Sequence, residues 1–393
     1  MVKYLVVFGT RPEAIKIAPV LRAIEQESQA RGVSCCTGQH DDLLIPILRL
    51  FGIVPDYNLR VMSPNQQLSA LTSVLLTELE KVLLAEKPDR VLVQGDTTTA
   101  MVASLAACYR KIPVSHIEAG LRSHSPLEPF PEEINRKLID DIADTFFPPT
   151  ALEMNDLLRE GKPRERIFVT GNTSIDALRL VSEMPFSIRG TSLERLPFGS
   201  KRILLATVHR RENHGAPLQK ICTAIRLIAR QYRRSAHVII PVHPNPNVRA
   251  CVQALLGDVP NITLTAPLGY QELIAVAKAC HFAFTDSGGL QEELTWLGKP
   301  ALVLRNVTDR REAIEAGAAI LVGAEPESIV RAAVRLMEDE ALYRRMAQPR
   351  ALFGDGTAAK RIVEILQHQG PWLAPLGVNQ TAVTPTVTLP AAA

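Results

Sequence analysis

Three carboxylates lie at or near the ends of predicted strands in the first half of this chain. Asp96 follows the apolar run Arg90–Gln94, and Glu118 closes the next such run. Glu132 opens a helix and suits a first helical turn, just as Asp96 would suit a helix N-cap. An acidic residue that abuts an apolar strand, as Glu118 does, is harder to explain as solvated surface. Since parallel strands end at one edge of a sheet, we expect the three carboxylates to converge there as general acids and bases.

The start of the chain carries two cations where a strand turns into a helix. The apolar run Lys3–Phe8 breaks at Gly9, and Arg11 and Lys16 follow within about one and a half helical turns. Free backbone N–H groups at a helix N-terminus bind anions, and the cations add charge. The pattern suits a diphosphate, although an ordinary first strand and helix with surface cations explains it about equally well.

A second anion-binding pattern lies in the other half of the chain. Ser287, Gly288 and Gly289 follow a buried strand and begin a helix, which exposes backbone N–H groups without a Cβ in the way. Glu293, one turn into that helix, can reach a ribose hydroxyl pair. Arg310, which follows the next strand, can reach the same cleft.

Two histidines also follow predicted strands in this half. His209 precedes Arg210 and Arg211, and this pattern favours an anion contact over a purely structural histidine. His243 lies in a loop between prolines, where a rigid turn is at least as good an explanation.

The elements that must position these residues alternate along nearly the whole chain. Short apolar runs between helical patterns predict an α/β fold with parallel sheets covered by helices. The predicted strands are Lys3–Phe8, Arg90–Gln94, Val114–Glu118, Ile203–Thr207, His237–Pro241, His281–Thr285 and Ala301–Leu304. The first helix has one buried face formed by Ala14, Ile17, Ala18, Leu21 and Ile24. The helix after Pro131 shows Ile134, Leu138 and Ile142 as one apolar stripe.

We expect two α/β domains of similar size. The first covers residues 1–177, and a polar stretch at 178–200, broken by prolines and glycines, links it to a second domain at 201–369. The last helix of the second domain could pack back onto the first. The tail at 370–393 has no charged residue after Pro371 and is expected to be disordered.

Composition excludes several classes of protein. The 393 residues are 46% hydrophobic and 22% charged, and the net charge is +3. A protein that follows a nucleic-acid backbone needs a concentrated basic face, so we expect no nucleic-acid partner. The apolar start spans only about six residues, too few for a signal peptide. No apolar run reaches the roughly 20 residues of a membrane span, so we expect no membrane partner.

The cysteines and two absent motifs narrow the choice of cofactor. Six cysteines form no Cys-x-x-Cys pair, which predicts a reduced, cytoplasmic protein without a bound metal. Neither a G-x-G-x-x-G fingerprint after a strand nor a P-loop is present. We therefore expect no dinucleotide cofactor.

Nine strings of residues, in order, resemble the non-hydrolysing UDP-N-acetylglucosamine 2-epimerases. They include Gly-Thr-Arg-Pro-Glu-Ala-Ile-Lys at 9–16, His-Ile-Glu-Ala-Gly-Leu-Arg at 116–122 and Asp-Ser-Gly-Gly-Leu-Gln-Glu-Glu at 286–293. The others lie at 95–99, 131–136, 171–173, 209–213, 241–246 and 354–356. Together they cover about residues 3–366, and this order is far more specific than any single string.

The resemblance implies a fold like that of B-type glycosyltransferases, with two Rossmann-like, doubly wound parallel-sheet domains and a UDP-sugar in the cleft between them. It implies interconversion of UDP-GlcNAc and UDP-ManNAc for bacterial surface polysaccharides, by a homodimer without a cofactor. By analogy, the acid/base residues are Asp96, Glu118 and Glu132, with His209 as a further catalytic candidate. The resemblance assigns the diphosphate to Arg11, Ser287, Gly288 and Gly289, the ribose to Glu293, and other parts of the nucleotide-sugar to Arg310, His209 and Lys16.

The sequence departs from the family in a segment that contacts a second, activating UDP-GlcNAc in some bacterial members. Gln39 and His40 are followed by two aspartates where a basic residue is frequent. Gln39, His40, Arg210 and His243 are the candidates for such a site, and the aspartates put allosteric control in question. Arg311 also replaces a usual proline.

Inversion at C2 of the sugar removes a proton from a carbon without an adjacent carbonyl. A side-chain base contributes only about 10²–10⁴ in rate, so it cannot act alone. Cleavage of the C1–O bond first would acidify C2–H, and UDP would leave toward fixed cations and helix N-termini. We expect a glycal intermediate, and re-addition of the same bound UDP after protonation on the opposite face. A hydrolysing epimerase, a B-type glycosyltransferase and a non-catalytic UDP-sugar-binding regulator stay open as alternatives.

Overall fold

The computed structural model describes residues 1–38, 41–63 and 66–368. Over these ranges the chain forms two six-stranded parallel sheets, each covered by helices. The predicted α/β fold with two doubly wound sheets is therefore confirmed. Gln39, His40 and the tail expected to be disordered at 370–393 lie outside the described residues.

The first sheet has the strand order β3-β2-β1-β4-β5-β6. Its strands are β1 (Val2–Phe8), β2 (Ala30–Cys36), β3 (Tyr57–Asn58), β4 (Arg90–Gln94), β5 (Val114–Ile117) and β6 (Thr145–Phe147). The helices of this half are α1 (Arg11–Glu25), α2 (Asp41–Phe51), α3 (Leu68–Glu86), α4 (Thr98–Tyr109), α5 (Glu132–Ile142), α6 (Ala151–Arg159) and α7 (Thr173–Glu183).

The second sheet has the order β12-β11-β10-β7-β8-β9, which repeats the topology of the first. Its strands are β7 (Arg202–Thr207), β8 (Ala236–Pro241), β9 (Ile262–Thr265), β10 (Cys280–Thr285), β11 (Ala301–Val303) and β12 (Ala319–Leu321). The helices are α8 (Ala216–Gln231), α9 (Pro246–Leu256), α10 (Tyr270–Ala279), α11 (Gly288–Trp296), α12 (Arg311–Glu315), α13 (Pro326–Glu338), α14 (Glu340–Met346) and α15 (Ala358–His368).

Strand β1 shows why the strands appear in the sequence as continuous apolar runs. Tyr4, Val6 and Phe8 pack into one core, and Leu5 and Val7 pack into another on the opposite face of the sheet. A strand buried on both faces needs apolar residues at every position. The same burial explains why all seven predicted strands are present, with ends within one residue of those expected.

The connections between the two halves differ from the prediction in one respect. Helix α7 continues to Glu183, so the first residues of the expected linker are helical, and residues 184–201 form no helix or strand. Helix α15 packs against α1 and α7 of the first half. The Asp176 carboxylate in α7 fixes it there by accepting from the backbone N–H groups of Ala358 and Ala359, at 3.1 and 2.9 Å.

The topology determines where a ligand can bind. In each sheet the strand order reverses between the first and fourth strands, at β1/β4 and β7/β10. Ligands of doubly wound sheets bind beyond the carboxyl ends of the strands at this switch point. Among the described residues, no helix combines the length and apolar character needed to span a membrane.

Candidate active site

A cleft of about 320 Å³ lies between the two halves, at the switch points of both sheets. Residues from α1 form one wall, and the loops after β7, β8 and β10 form the other. The lining includes Arg11, Pro12, Ile15, Lys16, Ser174, His209, Val242, His243, Leu268, Tyr270, Ser287, Gly289, Leu290 and Glu293. Six of the residues predicted to bind or transform substrate (Arg11, Lys16, His209, Ser287, Gly289 and Glu293) therefore share one cavity.

The turn between β1 and α1 uses two backbone amides within a capping box and presents cationic side chains to the cleft. Thr10 caps the helix, and the carboxylate of Glu13 accepts from the N–H groups of Gly9 and Thr10, at 3.1 and 2.8 Å. The N–H groups of Gly9 and Thr10 are thus occupied, because the third residue of α1 completes a capping box. The guanidinium of Arg11 instead reaches across the cleft to the carbonyl of Leu268 at 3.5 Å.

The N-terminus of α11 supplies the second anion-binding surface. Ser287 caps the helix by accepting from the N–H of Leu290 at 3.4 Å. No heavy atom lies within 4 Å of the position that a Cβ would take at Gly289, so the backbone faces open space. Gly288 does not line the cleft, and the Arg310 guanidinium packs beside it. This end of α11 can accept a phosphate group from the cleft side.

Glu293 is buried at the back of the cleft, where the Tyr270 hydroxyl donates to it at 2.7 Å. Burial raises the pKa of this carboxyl to about 7, although the Tyr270 hydrogen bond and the charges of Lys16 and Arg11 oppose the change. Near neutral pH it can both accept and donate hydrogen bonds. That property suits a pair of ribose hydroxyls.

Asp286 fixes the loop that carries His209. Its carboxylate accepts from the backbone N–H groups of His209 and Arg210 at 3.0 and 2.9 Å, and from the Asn213 amide at 2.9 Å. The His209 Nδ1 lies 3.1 Å from the same carboxylate. Burial alone would raise the pKa of Asp286, but His209 and these N–H donors lower it. With Nδ1 held in this way, Nε2 of His209 is left for the cleft.

Glu118 is the most strongly held of the three candidate acid/base carboxylates. Lys16 contacts it at 2.5 Å, Asn172 at 2.8 Å and Arg310 at 3.2 Å, and Gln94 also donates to it. Burial would raise the pKa of Glu118, but the charges of Lys16 and Arg310 lower it to about 2. The residue has a φ of +67°, a left-handed conformation that is uncommon outside glycine and is found at functional sites. A cation from each half therefore keeps this carboxylate ionised.

Asp96 contacts α5, and Glu132 belongs to this helix. The Asp96 carboxylate pairs with Arg136, and its carbonyl accepts from the Asn135 amide at 2.9 Å. Glu132 is the first residue of α5 and is half-buried, whereas its neighbour Glu133 is fully buried. None of the three acid/base candidates is among the described residues that line the cleft. Glu118 lies directly behind the lining, where it contacts the cleft residue Lys16.

The apolar stripe predicted for α5 does not form the buried face of this helix. Ile134 and Leu138 are 39% and 44% exposed, and the buried residues are Glu133, Asn135, Arg136, Ile139 and Asp140. The reason is that α5 packs its polar face against the loops after β4 and β5. The 3.6-residue periodicity located the helix correctly, but apolar spacing did not identify the face that contacts the site.

The candidates for a second ligand site are only partly described. His243 lines the cleft, and burial lowers its pKa, with the nearby His209 and His214 adding to the effect. The Nε of Arg210 is buried without a hydrogen-bond partner. Gln39 and His40 lie outside the described residues.

Sequence reasoning did not identify several residues that hold the site together. Asn172 and Gln94 hold Glu118, and Asp286 holds His209. Gln94 was detectable as a polar side chain ending an apolar strand, and the other two lie in strings that matched the family. Across the described part of the chain, no three His, Cys, Asp or Glu side chains are grouped to hold a metal ion.

Comparison with known proteins agrees with this geometry. The family model described as UDP-N-acetylglucosamine 2-epimerase matches residues 22–367. The chain belongs to this family. The UDP-N-acetylglucosamine 2-epimerase of Escherichia coli K12 is 44% identical over 371 residues, which cover 93% of this chain and 98% of the relative. That of Campylobacter jejuni is 44% identical over 372 residues, or 93% of this chain and 97% of the relative.

Solved structures of other family members have the same fold as this epimerase-family chain. The Neisseria meningitidis enzyme bound to UDP-GlcNAc matches with a TM-score of 0.89 and 43% identity, covering 93% of this chain and 100% of that one. The Methanocaldococcus jannaschii enzyme in complex with UDP-GlcNAc and UDP matches with a TM-score of 0.80 and 35% identity over the same shares. The glycotransferase of kitacinnamycin, 13% identical with a TM-score of 0.63, shares the fold alone.

Proposed function

We propose that this protein is a non-hydrolysing UDP-N-acetylglucosamine 2-epimerase that interconverts UDP-GlcNAc and UDP-ManNAc. The observation that carries the proposal is the position of Glu118, a buried ionised carboxylate bound by Lys16 and Arg310. Lys16 also lines the cleft. Its ammonium group can therefore contact both Glu118, the proposed proton-transfer group, and an anion bound in the cleft. The solved relatives that hold UDP-GlcNAc or UDP support the same ligand class here.

The first half of the reaction is an elimination. The C1–O bond of the sugar breaks with its electron pair leaving on UDP, and a carboxylate removes the C2 proton to form 2-acetamidoglucal. Arg11, Lys16 and the N-terminus of α11 stabilise the charge that develops on the diphosphate. In the second half, a carboxylic acid protonates C2 from the opposite face and the bound UDP attacks C1.

The cations that hold Glu118 also provide a way to activate it. A carboxylate whose pKa is about 2 is a poor base at neutral pH. A diphosphate in the cleft competes with Glu118 for Lys16, and the carboxylate then keeps fewer compensating charges. Its pKa therefore rises toward the working range once substrate is bound.

Three side-chain contacts join the two halves in this arrangement. Ser174 donates to Glu292 at 2.6 Å, Thr150 donates to Glu312 at 2.6 Å, and Arg310 reaches Glu118 across the same boundary. A closed cleft retains UDP and the glycal long enough for re-addition. This retention favours the non-hydrolysing reaction over release of free ManNAc.

Incubation with UDP-GlcNAc in D₂O and no other substrate tests the proposal. We expect UDP-ManNAc with deuterium at C2, detected by NMR and mass spectrometry. Free ManNAc with UDP would instead identify a hydrolysing enzyme. If the protein shows no turnover and no exchange, it is a glycosyltransferase or a binding protein. Addition of an acceptor sugar would distinguish these two, because only a glycosyltransferase would transfer the sugar to it.

The resemblance also supports three further proposals. The product would supply ManNAc-type precursors of a bacterial surface polysaccharide, and the protein would act in the cytoplasm as a homodimer. Light scattering of the purified protein tests the last of these, with a mass near twice the chain's 43.1 kDa expected.

A further inference from the structure

His116 is a fully buried residue of β5 that the proposed chemistry does not use. Its Nε2 lies 2.8 Å from the carbonyl oxygen of Gly95, and its Nδ1 lies 2.6 Å from the Asp140 carboxylate. Gly95 immediately precedes Asp96 and has a φ of +69°. The imidazole therefore links the polar face of α5 to the loop that carries a candidate acid/base residue.

The hydrogen-bond partners determine where the ring carries hydrogens. A carbonyl oxygen can only accept, so Nε2 of His116 must donate to Gly95. Asp140 also accepts from Arg122 at 2.7 Å and from the backbone N–H of Gly120 at 3.2 Å. Burial would raise the pKa of Asp140, but His116 and Arg122 lower it.

Asp96 is consequently fixed at three points around its backbone and side chain. His116 holds the preceding carbonyl, the Asn135 amide holds its own carbonyl, and Arg136 pairs with its carboxylate. Loss of the first point would free the peptide between Gly95 and Asp96 to rotate, since glycine tolerates many conformations. A displacement of about 1 Å at a reacting group can cost about 10²-fold in rate.

We propose that His116 is a positioning residue that orients Asp96 for proton transfer by donating a hydrogen bond from Nε2 to the Gly95 carbonyl. The inference rests on the proposed function, because it assigns Asp96 an acid/base role. The nucleotide is bound elsewhere, by Arg11 and the N-terminus of α11. Loss of the His116 contact should therefore reduce turnover without weakening nucleotide binding.

Two amide substitutions distinguish the hydrogen bond at Nε2 of His116 from the one at Nδ1. In His116→Gln the amide nitrogen lies near the former Nε2 position and can still donate to Gly95. In His116→Asn it lies near the former Nδ1 position, faces Asp140, and leaves the Gly95 carbonyl without a donor. Both variants lose one hydrogen bond and part of a buried ring, so a purely structural role predicts similar losses of activity in both.

We expect His116→Asn to lower kcat and C2 deuterium exchange by about tenfold or more, with KM and the calorimetric Kd for UDP within about twofold of wild type. We expect His116→Gln to retain kcat within about threefold. Equal losses in the two variants, or a wild-type kcat in His116→Asn, would overturn the inference. If His116→Asn does not fold, neutron diffraction of the wild-type protein must show hydrogen on Nε2 directed at Gly95, and a bare Nε2 would also overturn it.

The same assay distinguishes this inference from the function on which it rests. Absence of C2 exchange in the wild-type protein would refute both. Wild-type exchange together with full activity of His116→Asn would refute only the positioning role.

Discussion

The Lys16–Glu118 ion pair is expected to stabilise the protein far more than an exposed pair of similar length. Its N–O distance is 2.5 Å, and the two side chains are 14% and 4% exposed. Lys81 and Glu78 on α3 lie 2.7 Å apart but are 65% and 35% exposed. Replacement of each lysine by methionine therefore compares burial at nearly constant geometry.

At pH 7 we expect Lys16→Met to lower the free energy of unfolding by about 3 kcal/mol, because the buried carboxylate loses a compensating charge. The fall in the pKa of Glu118 from 4.5 to about 2, which is the net effect of burial and of all its partners, corresponds to a free energy of the same order, about 3 kcal/mol. Lys81→Met should cost less than about 1 kcal/mol. Urea unfolding followed by circular dichroism measures both values.

The difference in unfolding free energy between the wild-type protein and Lys16→Met should also decrease at acidic pH. Because the pKa of Glu118 is lower in the folded protein, its stabilising contribution is complete above the unfolded pKa of 4.5 and is lost as pH falls toward about 2. By pH 3.5 the wild-type protein should already have lost roughly 1.4 kcal/mol through this group. The Lys16→Met variant should lose less unfolding free energy over the same pH range. Parallel pH profiles for the two proteins, or equal costs for Lys16→Met and Lys81→Met, would refute the assignment of a buried ionised pair.

Four further substitutions test other parts of the site and fold. Asp96→Asn and Glu118→Gln should each reduce C2 deuterium exchange by at least about 10²-fold while UDP binding by calorimetry persists, and unchanged exchange would remove that residue from the mechanism. Arg11→Met should weaken UDP binding by roughly tenfold with a smaller effect on the folded state, since its guanidinium faces the cleft. Asp176→Ala should cost about 2 kcal/mol in unfolding free energy, because two N–H groups of α15 lose their acceptor; a cost below about 0.5 kcal/mol would show that α15 docks through apolar packing alone.

Sequence alone located the strands of this protein well because most of them are buried on both faces. The strands that were not predicted are β2, β3, β6, β9 and β12. Three of these have two or three residues, and β2 contains Arg31 and Gly32, so apolar periodicity is weak there. The central strands, which carry the switch points, are the ones that periodicity finds.

The residues of the cleft were predictable in type but not in arrangement. Carboxylates at strand ends and a Ser-Gly-Gly helix start follow from local patterns. That Glu13 would occupy the amides of Gly9 and Thr10 depends on one side-chain rotamer. That Arg310 would reach Glu118 depends on the packing of two domains. Neither is encoded in a local window of residues.

The arrangement of Glu118 ties the chemistry of the site to the contact between the two halves. Lys16 and Glu118 belong to the first half and Arg310 to the second, so the full set of cations around this carboxylate exists only while the halves are together. Asn172, which also donates to Glu118, follows directly on Gly171, where the chain packs against the backbone of Gly354. A change in the angle between the halves would therefore move Arg310 relative to the carboxylate and disturb the contact beside Asn172. In the mechanism that we propose, opening of the cleft would expose the glycal to water and remove Arg310 from Glu118 at the same time. An open cleft would therefore lose UDP and lack part of the catalytic charge, and this coupling would favour recapture of UDP over its release.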